Sequence, residues 1–382
     1  MPVGEVTDFA ELLDPGVRAV ELMLTTGCNL RCAYCYQRRG VVRTMEPAVL
    51  DAAIRHLVTS RLGEPKLVLY GGEPLLAADL VRRALDKART LAPAWMKPEL
   101  EILTNGIRLD EEMTRFLVGR NVFITVSFDG IAPAQDERSP GSFDMLDRLL
   151  VRLKRDHPKH FRRRVAVKAT LTSRNVPFLA ASFRYFLSRG LRDVELVPVL
   201  PDEPGWNRRS SLDLDRQLGD VVKVSFEEFR RSGEIPFRPF RRGSTDATMG
   251  GAPACSCGSR GLLSVDVDGA LAPCAAFARS TLGPQPKAIR HVMKSLGGLR
   301  VTDRNLLEAL VRREKRARRL SFLAGKEKRQ GPQGPCARCP VLPSCFVCPI
   351  AVAYGGGRVP AFHCDVNRLF ARHRDVFRRM IA

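Results

Sequence analysis

The chain reads as an α/β protein, a partial (β/α)6 barrel followed by a small cysteine-rich domain with a β-hairpin and helices. Three observations lead there. Apolar, strand-like runs at 19–24, 67–70, 99–103, 122–128, 165–171 and 194–199 alternate with helix-like stretches at 47–61, 80–91, 111–118, 143–154 and 177–188. Such alternation implies a parallel sheet covered by helices, and six units are too few to close an eight-stranded barrel. The cysteines are segregated, three at 28–35 and eight after residue 254. Between the two fields, 201–251 breaks the alternation with a loop at 201–206, a helical stretch at 212–231 and a basic, irregular run at 236–251. The expected boundaries are therefore 1–200, 201–251 and 252–382.

With 382 residues, 45% hydrophobic and 27% charged, the chain can bury a sizeable core in more than one domain. No apolar run approaches a membrane span, and residues 1–8 lack a basic-then-apolar signal pattern, so a cytoplasmic protein is expected. In that compartment eleven cysteines argue for metal and against disulfides. The six histidines form no paired ligand motif, which leaves thiolates as the natural ligands, suited to iron–sulfur clusters or zinc. The net charge of +21 favours an acidic partner: a peptide rich in Asp and Glu, an acidic electron donor or nucleic acid. A solvated basic surface is the plainer reading. Nucleic acid is disfavoured, because no binding-module pattern accompanies the charge and aromatics are only 7%.

In chain order, the first strand runs through Thr25-Thr26-Gly27 into Cys28-Asn29-Leu30-Arg31-Cys32-Ala33-Tyr34-Cys35. Three thiolates at C-x3-C-x2-C spacing can hold three irons of a cubane and leave the fourth open, whereas a structural zinc wants four ligands. This octapeptide, with Tyr34 just before its third cysteine, resembles the signature of the radical S-adenosylmethionine (SAM) enzymes. The resemblance implies a [4Fe-4S] cluster on Cys28, Cys32 and Cys35, SAM's amino and carboxylate groups on the open iron, and Tyr34 against the adenine. Gly71-Gly72-Glu73-Pro74 follow the second strand. Two glycines allow close backbone approach and a carboxylate can receive an ammonium group. In the resembled family this segment holds SAM's amino group, a role that falls to Gly71, Gly72 and Glu73. Thr104-Asn105-Gly106 ends the third strand with a polar tip, and Asn105 is placed with the SAM site. Ser127-Phe128-Asp129-Gly130 ends the fourth and resembles the family's Ser-x-Asp-Gly element. That places Ser127 and Asp129 near SAM, with Arg138 paired to its carboxylate. Each alone would read as turn chemistry.

The second cysteine field opens with Cys255 and Cys257, then a hairpin at 262–267 and 270–272 around Asp268-Gly269, a strong two-residue turn signal, which delivers Cys274. A basic helical stretch at 301–324 precedes Cys336, Cys339, Cys345, Cys348 and, ahead of a C-terminal helix, Cys364. The four clustered cysteines alone would equally suit zinc. The wider pattern resembles the SPASM extension of radical SAM peptide maturases. It implies one auxiliary [4Fe-4S] cluster on Cys255, Cys257, Cys274 and Cys348, and a second on Cys336, Cys339, Cys345 and Cys364, three clusters in all. Two features depart from the family: only Phe346 and Val347 separate the last clustered pair, and Cys255 and Cys257 lie unusually close.

The expected activity is reductive cleavage of SAM to a 5′-deoxyadenosyl radical that takes hydrogen from a ribosomally made peptide, with oxidative crosslinking as the outcome. A flavodoxin- or ferredoxin-type donor supplies low-potential electrons. A sulfatase maturase is the rival within enzymes, but that group carries an Asp directly after the cysteine matching Cys274, as its base, and this chain has Ala275. A small-molecule dehydrogenase of the same extended family and a zinc-stabilised nucleic-acid-binding protein are the remaining alternatives. About twenty residues precede the first strand, too few for a winged-helix leader-binding domain. Leader recognition is then expected from the basic surface, from 201–251, or from a separate protein.

Overall fold

The computed structural model describes residues 19–37, 40–58, 65–241, 262–272, 274–281, 301–302, 336, 338–341, 345, 348–355 and 358–382. Strands and helices alternate as the sequence predicts: β1 Ala19–Met23, α1 Pro47–Val58, β2 Lys66–Tyr70, α2 Ala78–Leu91, β3 Glu99–Thr104, α3 Glu111–Gly119, β4 Phe123–Ser127. A short α4 Ala132–Gln135 precedes α5 Phe143–Asp156, α6 Pro158–Arg164, β5 Val165–Leu171, α7 Leu179–Arg189, β6 Val194–Pro198 and α8 Arg208–Ser232. Then come β7 Leu262–Val265, β8 Leu271–Ala272, α9 Pro349–Tyr354 and α10 Ala361–Ile381. Helix α6 was not foreseen: Pro158 starts it after only a one-residue break, and its basic sequence carries a single buried apolar anchor, Phe161. The basic stretch at 301–324, apart from 301–302, lies outside the described residues, as do Cys255 and Cys257. None of the described helices is long and apolar enough to cross a membrane.

The chain divides into two compact units. The first holds 1–27, 37–101 and 256–321. Its strands take the order β2-β1-β7-β8. β1 pairs in parallel with β2, Leu22 opposite Leu69, and with β7, Leu22 opposite Val265. The hairpin therefore extends this sheet at β1, while β7 and β8 run antiparallel around Gly269, whose φ of 81° is the left-handed value such a turn needs. Val20 and Leu22 are buried, whereas Glu21 between them is only half-buried. Period-two alternation puts the apolar pair on one face and Glu21 on the other. Lys66 on β2 pairs with Glu99 and Glu101 of β3, at 3.3 and 2.5 Å.

The second unit holds 28–36, 102–255 and 322–382, with strand order β6-β5-β4-β3. β4–β5 and β5–β6 are parallel, with Ser127 opposite Lys168 and Lys168 opposite Glu195. Val167, Ala169 and Leu171 are buried, and the half-buried Lys168 and Thr170 occupy the other face. Lys168 and Arg238 both pair with Glu195, at 3.3 and 2.9 Å. Asn207 caps α8, accepting from the Arg209 and Ser210 amides, which explains why this helix starts earlier than its apolar pattern. Helix α10 packs on α8 and the Phe237–Phe240 segment through Phe377, which contacts Phe229 edge-on and stacks on Phe240 at 5.3 Å.

Asp51 on α1 ties that helix to α2, accepting from Arg83 at 2.6 and 2.9 Å and from Lys87. These bonds hold its carboxyl at about 2, below the usual 3.8. A depressed carboxyl contributes stability that is present above its unfolded pKa and lost as pH falls toward the folded one. Asp51→Asn is therefore expected to cost about 1 kcal/mol at neutral pH. It should also flatten the loss of stability between pH 4 and pH 2, measured by urea unfolding across that range.

Candidate functional site

The cysteine loop begins where β1 ends, and backbone hydrogen bonds help to fix the segment just before it. In the first unit, Gly72 N donates to Thr25 O and Glu73 N to Gly27 O, both at 2.8 Å. The approach leaves no room for side chains: a Cβ on Gly71 would lie 2.4 Å from Thr25 O, and one on Gly72 would lie 2.3 Å from Gly27 O. The Gly-Gly pair thus has a packing reason of its own, beside any ligand. Gln37 Nε2 closes the same corner by donating to Gly71 O at 2.5 Å. Glu73 is fully buried, and its Oε1 accepts the Leu75 amide at 3.1 Å, capping the turn Pro74–Ala77. An anionic acceptor at that position is what an ammonium group requires.

In the second unit the loop itself is held from behind. Tyr34 Oη donates to Asp129 Oδ2, and Arg138 donates to the same carboxylate through Nε at 3.2 Å and Nη2 at 2.8 Å. The Thr170 amide is a further donor to Asp129, at 2.8 Å. The Asp129 amide in turn donates to Gln135 Oε1 at 2.9 Å. Asp129, expected beside SAM, is therefore a buried junction, and Arg138, expected at the SAM carboxylate, directs Nε and Nη2 at Asp129. Ala33 N donates to Glu137 O at 3.2 Å, a second tie between loop and the 135–139 turn. Asn105 Nδ2 donates to Asn29 Oδ1 at 2.8 Å and lies 3.9 Å from Cys28 Sγ. Ser127, at the end of β4, is half-buried and faces its register partner Lys168.

Burial pushes the Cys32 thiol up to about 11; Arg138 opposes this, while Cys35, Cys28 and Asp129 add to it. Among the described residues no three His, Cys, Asp or Glu side chains converge on one ion. A cubane does not ask for that, since each sulfur holds its own iron. Cys28 and Cys35 are exposed and Cys32 is half-buried. Burial raises the Tyr34 phenol as well, so it stays a hydrogen-bond donor. For Arg138 burial works the other way, but Asp129 outweighs it and keeps the guanidinium charged.

Of the later cysteines, Cys274 precedes the turn Ala275–Phe277, and the Ala275 amide donates to Glu21 Oε2 at 3.1 Å, within the first unit. In the second unit Cys336, Cys339, Cys345, Cys348 and Cys364 are all half-buried. Cys339 N donates to Cys336 O at 3.0 Å. Burial raises the Cys364 thiol, and Cys339 and Cys336 contribute, which puts these three within electrostatic reach of one another. The helix carrying Cys364 is docked by residues on either side of it: Asp365 accepts from Trp206 Nε1 at 3.0 Å, Trp206 meets Phe362 edge-on, and His363 Nε2 lies 2.9 Å from Pro201 O. The parts played by Asn29, Gln37, Glu137 and Thr170 were not foreseen from the sequence. Only Asn29 carried a signal, its place inside the cysteine loop.

Residues 22–165 match the family model of the Radical SAM superfamily. Over 267 residues the chain is 22% identical to a cysteine-type anaerobic sulfatase-maturating enzyme of Clostridium perfringens, spanning 65% of this chain and 72% of that protein. It is 29% identical over 243 residues to a GTP 3′,8-cyclase 2 of Mycobacterium tuberculosis, spanning 60% and 62%. Among solved structures, native anSMEcpe with bound AdoMet and Cp18Cys peptide superposes with a TM-score of 0.72 at 18% identity, covering 95% of this chain and 97% of that one. Streptococcus suis SuiB bound to S-adenosylmethionine gives 0.55 at 14%, covering 86% and 72%. At such identities the structural likeness is one of fold.

Gly72→Ala is expected to destabilise the chain by about 1–3 kcal/mol, the usual range for overpacking, because backbone and not a flexible side chain blocks the new methyl. Gly40→Ala, whose Cβ would meet nothing within 4 Å, should leave stability unchanged. Urea denaturation of the two variants beside the parent checks both.

Proposed function

We propose that the chain is a radical SAM maturase that oxidatively modifies a peptide, because residues 22–165 match the superfamily model and the fold is like that of anSMEcpe. One observation carries the reading. A C-x3-C-x2-C loop is tied to Asp129, Asn105 and Glu137 through Tyr34, Asn29 and the Ala33 amide, in a chain whose fold parallels nearly the full length of an enzyme holding AdoMet and a cysteine peptide. A [4Fe-4S] cluster held by Cys28, Cys32 and Cys35 would supply the electron that splits SAM into methionine and a 5′-deoxyadenosyl radical. This chain's own residues bind and orient. Glu73 and the backbone of Gly71 and Gly72 would take the SAM amino group, and Tyr34, Asn105 and Ser127 would line the rest of the site. Two auxiliary [4Fe-4S] clusters, on Cys255, Cys257, Cys274 and Cys348 and on Cys336, Cys339, Cys345 and Cys364, would accept the electron that a substrate radical must lose. The +21 charge suits an acidic peptide and an acidic flavodoxin- or ferredoxin-type donor.

Crosslinking is the outcome we favour, because Ala275 stands where the sulfatase maturases carry their Asp. Formylglycine formation is the second reading, favoured by the relatives matched. Anaerobically reconstituted protein should hold about twelve irons with matching sulfide, about four for each cluster. It should convert SAM to 5′-deoxyadenosine under a strong reductant. Incubated with acidic candidate peptides and with a cysteine peptide, it should give one product class. Loss of two hydrogens with no carbonyl signifies a crosslink, and a hydrazine-reactive aldehyde signifies formylglycine. Zinc without iron, or iron without SAM cleavage, would overturn the proposal.

A further inference from the structure

Asp129 and Arg138 form a buried ion pair tied directly to the cysteine loop. The Asp129 side chain is wholly buried and that of Arg138 is one-tenth exposed. Tyr34, which links the pair to the loop, stands between Cys32 and Cys35 in the chain, and the Arg138 guanidinium lies over its ring, 5.4 Å from the centroid. Tyr34 is two residues from Cys32 and one from Cys35, so its bond to Asp129 and its place under Arg138 set both charges beside the loop. A cation that could stabilise charge on the loop sulfurs is thus held by an anion of opposite effect. Four contacts fix the anion in place: Tyr34 Oη, Arg138 Nε, Arg138 Nη2 and the Thr170 amide.

We propose that Asp129 is a positioning residue that also acts electrostatically, neutralising Arg138 beside the loop so that a cluster bound there keeps a low reduction potential. The inference rests on the SAM-cleaving reading above. Reduction adds one negative charge to a cluster, and an uncompensated guanidinium nearby would stabilise that charge and raise the potential. Low local dielectric makes the effect larger in a buried setting than in water. A cluster that must pass an electron to a sulfonium has to be strongly reducing, so the counter-charge is functional as well as structural. The Tyr34 hydroxyl couples the position of the pair to that of the sulfurs.

The test is a redox titration of the anaerobically reconstituted full chain, followed by electron paramagnetic resonance. The loop cluster is identified as the signal that changes when SAM is added. Asp129→Asn is expected to shift its midpoint to more positive potential, Arg138→Gln to more negative, and the double variant to return close to the parent. Tyr34→Phe, which keeps both charges, should lower cluster retention with little change in potential. Removing one partner of a buried pair is costly. Should Asp129→Asn fail to fold for that reason, Arg138→Gln against the charge-neutral double variant carries the same sign test. Single variants that shift in the same direction, or not at all, while binding iron and responding to SAM, would overturn the role of Asp129 and leave the SAM-cleaving reading intact. A parent chain whose iron signal ignores SAM would instead overturn both.

Discussion

A loop whose cysteines are to serve as ligands, as we propose, must be held by its other groups, and much of the described structure answers that constraint. Immediately before the loop, Thr25–Gly27 is pinned by backbone hydrogen bonds to Gly72 and Glu73, at a distance only glycine tolerates. Within the loop, the backbone of Ala33 and the hydroxyl of Tyr34 reach the 129–138 turn, and the Asn29 side chain reaches Asn105. These ties run through amide, hydroxyl and carboxamide groups. None of these ties uses a sulfur, so ligation of all three would not break them.

The Asp129 carboxylate shows how much one buried group can organise. Buried charges are tolerated when paired and fully hydrogen-bonded, and Asp129 has a cation, a phenol and a backbone amide as donors. The turn behind it is equally satisfied: Gln135 accepts the Asp129 amide and donates to Ser142 at 2.9 Å. Glu137 takes Thr172 Oγ1 at 2.5 Å and Arg174 Nε at 2.9 Å. Polar networks of this kind specify a single arrangement, since any other leaves a buried donor or acceptor unmet. That is the property a cofactor site needs from its supports.

The C-terminal helix follows another logic. Its hold on α8 is aromatic, through Phe377, Phe229 and Phe240, while Trp206–Asp365 and His363–Pro201 anchor the turn bearing Cys364. Apolar packing gives the helix its stability and is tolerant of small slips. The two polar contacts are directional and set the register at the residue whose position matters.

Local chemistry was legible in the sequence. The strand–helix alternation, the loop of three sulfurs after β1, the tight turn at Asp268-Gly269 and the glycines after β2 each follow from residue type and spacing, because each depends on a few neighbouring residues. Helix α6 was not legible, since one buried phenylalanine leaves no periodic pattern. Partnerships across the chain were not legible either. Asp129 is 95 residues from Tyr34, Thr170 is 41 from Asp129, Trp206 is 159 from Asp365 and the Ala275 amide is 254 from Glu21. Nothing in a turn such as Ser-x-Asp-Gly says whether its carboxylate will face a ligand or a buried arginine. That depends on which strands lie side by side, as it does for β7, which only pairing with β1 places beside it. The sequence by itself determined which atoms are available for ligation. The tertiary structure decided which charges stand behind them, because a charge acts through space and is set by packing, not by order along the chain.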